Sequence, residues 1–474
     1  MASNKENFYL DIMSMKQEVS GSFNLCTVRF PDESKVSFAV DCGLFQDNSK
    51  EKIDIRNEML PCKAENLSFL LVTHNHVDHI GRIPFLVKNG FRGPVYLTKP
   101  TGALIGLALR DSLKALREYS KRFERKQLYN DEDVAETLQR LKAFDYNVEF
   151  QPHPNIKVTF KPNGHLVGAA SIMVVISYPG EEDINILFSG DYNNKNAFFN
   201  VPPMTSDVFK APVSVIMEST YGDMNSREIH KIFRRNVTSW IKEKGRVIIP
   251  VFSLGRAQEI LYELKLLQYK KKIPLDIPIF YDGKLSQAYS RLYKNNILGI
   301  DKEMENFMPM NVTMVDKDVR ARILEMKGSF IIVTTSGMGT YGPAQTYIPN
   351  FLSDEKALIH FTGYCAEGTL GAKLKEAKHG ELLKVSGIMI EKKAKVEFTA
   401  EFSAHAKADE LIDFLKQFEN LKMVMVNHGD QDTKAVFAKR VMHEVQPKQV
   451  GILGECYAFR IGAYGFIKSY PSRC

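Results

Sequence analysis

Long apolar runs are missing from this sequence: no stretch approaches the ~20 consecutive apolar residues that span a bilayer. The opening MASNKENFYLDIM mixes both charge signs and has no unbroken apolar core, so it does not read as a signal peptide. Cysteine is scarce. Cys26, Cys42, Cys62, Cys365, Cys456 and Cys474 are scattered and form no CxxC pair, which argues against a disulfide framework or a cysteine zinc site and for reduced thiols. These features predict a cytoplasmic protein with no membrane partner. Low-complexity tracts are also lacking, and 44% hydrophobic with 25% charged residues is ordinary globular composition, excluding collagen-like and disordered classes. The charge surplus of +7 is mild for 474 residues and is compatible with a polyanionic partner without demanding one. At about 150 residues per domain, the chain has room for two large units or three smaller ones.

What the sequence does contain is a series of short apolar runs that end abruptly in ligand-type residues. Leu67–Val72 runs through Thr73 into His74, Ile184–Phe188 into Ser189-Gly190-Asp191, Val213–Met217 into Glu218, and Val247–Phe252 into Ser253. Phe330–Val333 leads to Thr334-Thr335-Ser336-Gly337, Ala357–Phe361 to Thr362-Gly363, and Met423–Val426 to Asn427-His428-Gly429. Four to six β-prone residues in a row suit strands buried on both faces, with polar groups collecting at their ends as in layered α/β proteins. Between them, Ala103–Lys142 reads as one or two amphipathic helices. A further helix opens at Ser253-Leu254-Gly255-Arg256, and another covers Ala408–Phe418. The middle of the chain, about 223–382, carries its own strand and helix alternation and reads as a second lobe.

The densest chemistry is Thr73-His74-Asn75-His76-Val77-Asp78-His79, with three imidazoles and a carboxylate within six positions. In an extended loop His74 and His76 point the same way, so one metal can take both, while Asp78 and His79 turn toward a second. Imidazole and carboxylate donors favour zinc over calcium or magnesium. His165 in Asn163-Gly164-His165-Leu166-Val167-Gly168-Ala169, Asp191 and His428 offer the remaining ligands; each is weak alone, and the case rests on their joint fit.

The order HNHVDH, GHLVGA, SGD, preceded by Asp41-Cys42-Gly43, resembles the metallo-β-lactamase superfamily. Glu218-Ser219-Thr220-Tyr221-Gly222, Phe402-Ser403-Ala404-His405-Ala406 and Val426-Asn427-His428-Gly429 resemble motifs A, B and C of its β-CASP nucleases. PVFSLGRAQE at 250–259, Thr335-Ser336-Gly337-Met338 and GYCAEGTL at 363–370 fit the same pattern, so the resemblance spans residues 41 to 428 in collinear order.

That resemblance implies an α/β fold: an αββα metallo-β-lactamase sandwich in two parts, 1–222 and 383–474, with a β-CASP α/β domain inserted over 223–382. It implies two Zn2+ per chain, one on His74, His76 and His165, the other on Asp78, His79 and His428, with Asp191 bridging. Asp41 would order the histidine loop by hydrogen bonds. Two such ions activate a water and clamp phosphate oxygens. Asp78, Glu218 and His405 are the catalytic expectation, with Glu218 orienting a His405 imidazolium that protonates the leaving oxygen. Ser253, Arg256, Ser336, Gly337, Gly368 and Thr369 are substrate-binding candidates, because a helix start and glycine turns offer backbone N–H groups to phosphate. Between Arg110 and Lys126 seven basic residues outnumber three acids, reading either as a solvated helix face or as an RNA contact. A histidine at motif C resembles the RNA-cutting branch rather than the DNA-repair branch, so single-stranded RNA is the expected partner, in RNA processing or decay. Against that family the chain shows neither the KH-type N-terminal extension of archaeal homologues nor the long tail of the eukaryotic mRNA 3′-end endonuclease subunit. It is therefore expected to be of the compact prokaryotic type. Endonucleolytic and 5′-3′ exonucleolytic cutting both fit, and a homodimer stays open. The competing readings are a thioester or lactone hydrolase of the superfamily, or a catalytically inactive scaffold subunit.

Overall fold

The computed structural model describes residues 7–15, 19–46, 50–204, 206–228, 231–294, 300, 306–365, 368–454 and 457–471. Ala366 and Glu367 of the GYCAEGTL segment, and Cys456 and Cys474, lie outside the described residues. The chain divides into two compact units: one of Met1–Asn196, Asn200–Ser226 and His405–Cys474, the other of Ala197–Phe199 and Arg227–Ala404.

The first unit is a sandwich of an eight-stranded and a seven-stranded sheet. In the eight-stranded sheet, Leu67–Leu71 lies parallel between Lys35–Val40 and Val95–Thr98, with Ala39 opposite Leu70 and Leu70 opposite Val95. The seven-stranded sheet carries Ile184–Phe188, Val213–Met217 and Leu421–Val426 as parallel neighbours. Alternate side chains from both sheets, among them Phe38, Phe69, Val158, Phe160, Ile172 and Ile186, are fully buried in one apolar cluster. The opposite face of the seven-stranded sheet offers Leu187, Val215 and Met217 to Leu411, Phe414 and Phe437 from the helices Ala408–Leu415 and Gln431–Glu444. Such two-faced burial explains why these strands read as continuous apolar runs.

The expected helical stretch 103–142 resolves into Lys99–Phe123 and Asp131–Gln139. Glu124 in the left-handed region ends the first, and an Asn130–Asp133 capping box starts the second. Leu141 and Lys142 belong instead to an edge strand, Leu141–Phe144, paired with Val95–Thr98.

The second unit is built on a six-stranded, wholly parallel sheet of Val312–Met314, Ile279–Asp282, Phe330–Thr334, Arg246–Pro250, Ala357–Phe361 and Lys395–Phe398. This unit continues to Ala404, beyond the expected return at 382. The half-exposed strand Lys395–Phe398 pairs with Ala357–Phe361, and its polar composition hid that pairing from the sequence pattern. No described helix is long and apolar enough to cross a membrane.

Candidate metal centre

The side chains of the metal cluster sit just beyond the ends of buried strands of the first unit, on a turn between two of them, or, for Asp78 and His79, on the short helix Val77–Ile80 where an extended loop was expected. His74 follows Leu67–Leu71, Asp191 follows Ile184–Phe188, Glu218 follows Val213–Met217, and His428 follows Leu421–Val426. His165 lies on the turn between Ile156–Pro162 and Ala170–Ile176. The main chain at 41–44 clamps the histidine loop from below. Cys42 N–H donates to the His79 carbonyl at 2.7 Å and Leu44 N–H to the Val77 carbonyl at 3.0 Å. Gly43 passes so close that a Cβ there would fall 1.5 Å from the Asp78 carbonyl oxygen, so only glycine fits. The buried Arg82 locks this arrangement, donating through Nε to the Gly43 carbonyl at 2.6 Å and through its Nη1 to the carbonyls of Arg56 and Met59.

Asp41 orders the loop directly. Its carboxylate accepts from Thr73 N–H and Thr73 Oγ1, each at 2.8 Å, and lies 2.7 Å from His79 Nδ1. Asp41 and His428 both have positive φ, 63° and 45°, a conformation non-glycine residues adopt at a cost and keep only where surrounding contacts hold them.

The donor atoms of His74, His76, His165 and Asp191 lie within 4.8 Å of one another, and so do those of Asp78, His79, Asp191 and His428. Asp191 is thus common to both groups. Its Oδ2 is 3.5 Å from His74 Nε2 and 3.7 Å from His165 Nε2, while its Oδ1 is 3.0 Å from His428 Nε2 and 3.3 Å from His79 Nε2. His74 Nε2 and Asp191 Oδ1 are buried with no hydrogen-bond partner. Buried polar atoms left so are rare in proteins and call for an explanation. Electrostatics across the cluster is divided. Burial lowers His76 to about 4, against the pull of Asp78 and Asp191, and drives His74 well below the usual histidine range. Burial alone would depress His79 too, but Asp191, Asp41 and Asp78 together outweigh it and lift that imidazole to about 10. Asp191 resists burial because His428, His79 and His74 hold it well below the carboxylate range.

A second constellation adjoins the first. His405 Nδ1 lies 2.8 Å from Glu218 Oε2 and 3.1 Å from Oε1, which leaves Nε2 facing Asp191 Oδ2 at 3.9 Å. Burial disfavours charge on His405, but the Glu218 carboxylate overrides it and raises the pKa. Glu218 is held by the Tyr192 N–H and by Thr220 Oγ1 at 2.7 Å, and Thr220 Oγ1 also lies 2.9 Å from His428 Nδ1. Thr73, Arg82 and Thr220 were not among the candidates from the sequence. The one available signal was that each adjoins a motif, as neither threonine nor arginine stands out by type.

A family model described as the Beta-Casp domain matches residues 257–374, and another, the Zn-dependent metallo-hydrolase RNA specificity domain, matches 389–452. An RNase J-like protein of Methanocaldococcus jannaschii is 31% identical over 411 residues, covering 85% of this chain and 89% of that one. This chain belongs to the β-CASP nucleases of the metallo-β-lactamase superfamily. Ribonuclease TTHA0252 of Thermus thermophilus is 28% identical, with 88% of this chain and 93% of the relative covered. Transcription termination factor FttA of Methanococcus maripaludis is 31% identical over 85% of this chain, which spans 65% of that protein's length.

In this β-CASP protein the substrate-binding candidates lie in the second unit, at the carboxyl ends of three adjacent parallel strands. Ser253 and Arg256 follow Arg246–Pro250, Ser336 and Gly337 follow Phe330–Thr334, and Gly368 and Thr369 lie beyond Ala357–Phe361. That edge is where open α/β sheets bind ligands. Arg256 is buried at the start of the helix Arg256–Tyr269. It pairs through one Nη with Glu259 at 2.7 Å, while its Nε has no partner. Ser336 Oγ accepts from Tyr341 N–H at 3.1 Å, and Thr369 Oγ1 caps the helix Leu370–Glu376 by accepting from Ala372 N–H at 3.3 Å. Cys26, Cys42, Cys62 and Cys365 are free thiols.

Proposed function

We propose that this β-CASP nuclease is a zinc-dependent ribonuclease that hydrolyses phosphodiester bonds of single-stranded RNA in RNA processing or decay. The observation that carries the reading is the sharing of Asp191 between two ligand groups beside the Glu218–His405 pair. His74 Nε2 and Asp191 Oδ1, buried and without hydrogen bonds, have the character of atoms that complete a metal shell. Their imidazole and carboxylate chemistry suits zinc. His74, His76 and His165 would hold one ion, Asp78, His79 and His428 the other, and Asp191 both. Zinc there would supply Lewis-acid polarisation of the phosphate and a lowered pKa for the attacking water.

The chain's own residues do the rest. Asp78, less enclosed than Asp191, orients the water toward phosphorus. His405 carries a proton on Nε2 while Glu218 holds Nδ1. As the bond from phosphorus to the departing ribose oxygen breaks, that proton passes to the oxygen. Asp41 keeps the loop in place through Thr73 and His79. Arg256, and the backbone N–H groups at Ser253, Gly337, Gly368 and Thr369, take phosphates of the bound strand, whereas the Ser336 N–H already donates to the Tyr341 carbonyl at 3.1 Å. A thioester or lactone hydrolase would have no use for Glu218 and His405, and an inactive scaffold no use for seven converging ligands.

The test is to assay purified protein on RNA, DNA, a thioester and a β-lactam, with and without a chelator. RNA cleavage that stops on chelation and returns with zinc, with about two ions per chain by elemental analysis, is the expected result. Thioester or lactam turnover without RNA cleavage would overturn it, and so would full activity after exhaustive chelation.

A further inference from the structure

We infer that the solvent face of the helix Lys99–Phe123 is an RNA track, taking the phosphates of a strand that extends beyond the metal centre; this rests on the ribonuclease reading. At 100° per residue, Arg110, Lys114, Arg117 and Lys121 fall within a wedge of about 60°. The wedge lies opposite the buried Leu104, Ile105, Ala108, Leu109, Ser112 and Leu113. Asp111 and Glu118 sit together on one flank of it. Over 99–126 eight cationic residues face three acidic ones, so most of the chain's surplus of +7 is gathered here.

Lys121 lies in the last turn, where a cation suits the helix end, but the spacing within the stripe does not serve the helix. Arg110 with Lys114, and Arg117 with Lys121, stand four residues apart, where like charges repel instead of adding to stability. Neutralisation within the chain is incomplete. Lys114 reaches Glu118 only at 3.9 Å and Arg117 pairs with Asp131, while among the described residues no carboxylate pairs with Arg110 or Lys121. Four cations spread over about 16 Å along the helix complement a polyanion with regularly spaced charges.

The position of the helix ties the stripe to the centre. Thr98 Oγ1 and Thr101 Oγ1 donate to the Gly168 carbonyl at 2.7 and 2.9 Å, three residues after His165. Gly168 has φ +92°, and a Cβ there would meet Thr101 Oγ1 at 2.6 Å. The helix therefore starts against the ligand-bearing turn and carries its cations away from it, all within the first unit.

The test uses the full chain with Arg110→Gln, Lys114→Gln and Lys121→Gln combined, sparing Arg117 because of its ion pair. Single-stranded RNAs of about five and about thirty nucleotides, on either side of typical single-strand site sizes, are cleaved across a salt series. For the long RNA, KM should rise roughly tenfold at low salt with kcat unchanged. Its logarithmic salt dependence should become shallower by about two, since each phosphate contact on a single strand contributes about 0.7. The short RNA should be cut as by the wild type. An unchanged long substrate, or equal losses on both lengths, overturns the track. So does an equal loss in a control triple on the second unit, Lys356→Gln, Lys393→Gln and Lys395→Gln, or triple-variant loss of binding to phosphatidylserine vesicles but not to RNA. If the wild type cuts neither RNA, the ribonuclease reading fails. Fluorescence anisotropy with the long RNA then still decides the track, by whether the triple variant binds more weakly.

Discussion

The strand ends of the first unit and those of the second are built on the same plan and finished differently. In both, buried parallel strands stop at short loops that carry polar groups. At the metal cluster the awkward backbone positions belong to Asp41 and His428, and His74 Nε2 and Asp191 Oδ1 are buried without a hydrogen bond. At the sheet edge of the second unit the positive φ angles fall on Gly255, Gly342 and Gly368, and the Ser336 and Thr369 hydroxyls are occupied by neighbouring backbone N–H groups. Strain and unmet polarity held in place by surrounding contacts mark a site organised for chemistry. Glycine turns with satisfied hydroxyls mark one that presents backbone. Arg256 Nε and Thr334 Oγ1, buried there without hydrogen bonds, are the departures from that pattern at the second unit's edge.

The strongest way to break this contrast is to remove a ligand. His76→Ala should lose metal by elemental analysis and abolish cleavage, since among the described residues the neighbouring imidazoles are already engaged in the cluster or with Glu218. Cleavage and metal content that both survive would dismiss the cluster as a histidine network. Next in size is the acid pair. His405→Ala should keep metal and RNA binding and lower kcat by ~10²–10⁴-fold, the usual reach of general acid catalysis. Glu218→Gln should cost less, and the double variant little more than His405→Ala alone, because the two act as a unit. Zinc release by His405→Ala would make that residue structural.

How much of this could be read from the chain follows from the same contrast. His74, His76, Asp78 and His79 were legible because their ligand types fall within six positions after a buried strand. His165, Asp191, Glu218, His405 and His428 were legible only as an ordered motif set, since a lone histidine or carboxylate carries little. Thr73, Thr220 and Arg82 escaped, because their roles depend on which loops lie within 3 Å in the folded unit. The strands Leu141–Phe144 and Lys395–Phe398 escaped because they sit at sheet edges, where burial leaves no alternating pattern.

Histidine environments offer a finer test. Where acids oppose burial, His79 rises to about 10; His360, fully buried in the second unit beside the Phe233 ring, is lowered to about 4, chiefly by burial. A depressed folded pKa means the unfolded chain binds more protons between pH 6.5 and 4. The stability of the second unit should therefore be intact above 6.5 and fall through that window, by on the order of 3 kcal/mol for the full shift. Trp240, the sole tryptophan, lies in this unit and reports its unfolding. Denaturant midpoints followed by its fluorescence should drop from pH 7 to pH 4.5, and His360→Gln should flatten the dependence. An equally steep drop in that variant would assign the effect elsewhere.

The smallest effect separates backbone presentation from side-chain chemistry at the second unit's edge. Thr369 Oγ1 caps Leu370–Glu376, so Thr369→Ala removes an acceptor that the first turn uses while leaving the residue's own N–H in place. Loss of such a cap costs about 1 kcal/mol. The unfolding free energy reported by Trp240 should fall by that amount, lowering the midpoint, and Thr369→Ser should restore it. KM for RNA should stay within twofold if, as proposed, phosphate meets the N–H and not the hydroxyl. A KM rise with no change in midpoint would mean that Oγ1 itself meets the substrate, and the second unit's edge would then work through side chains as the first unit's does.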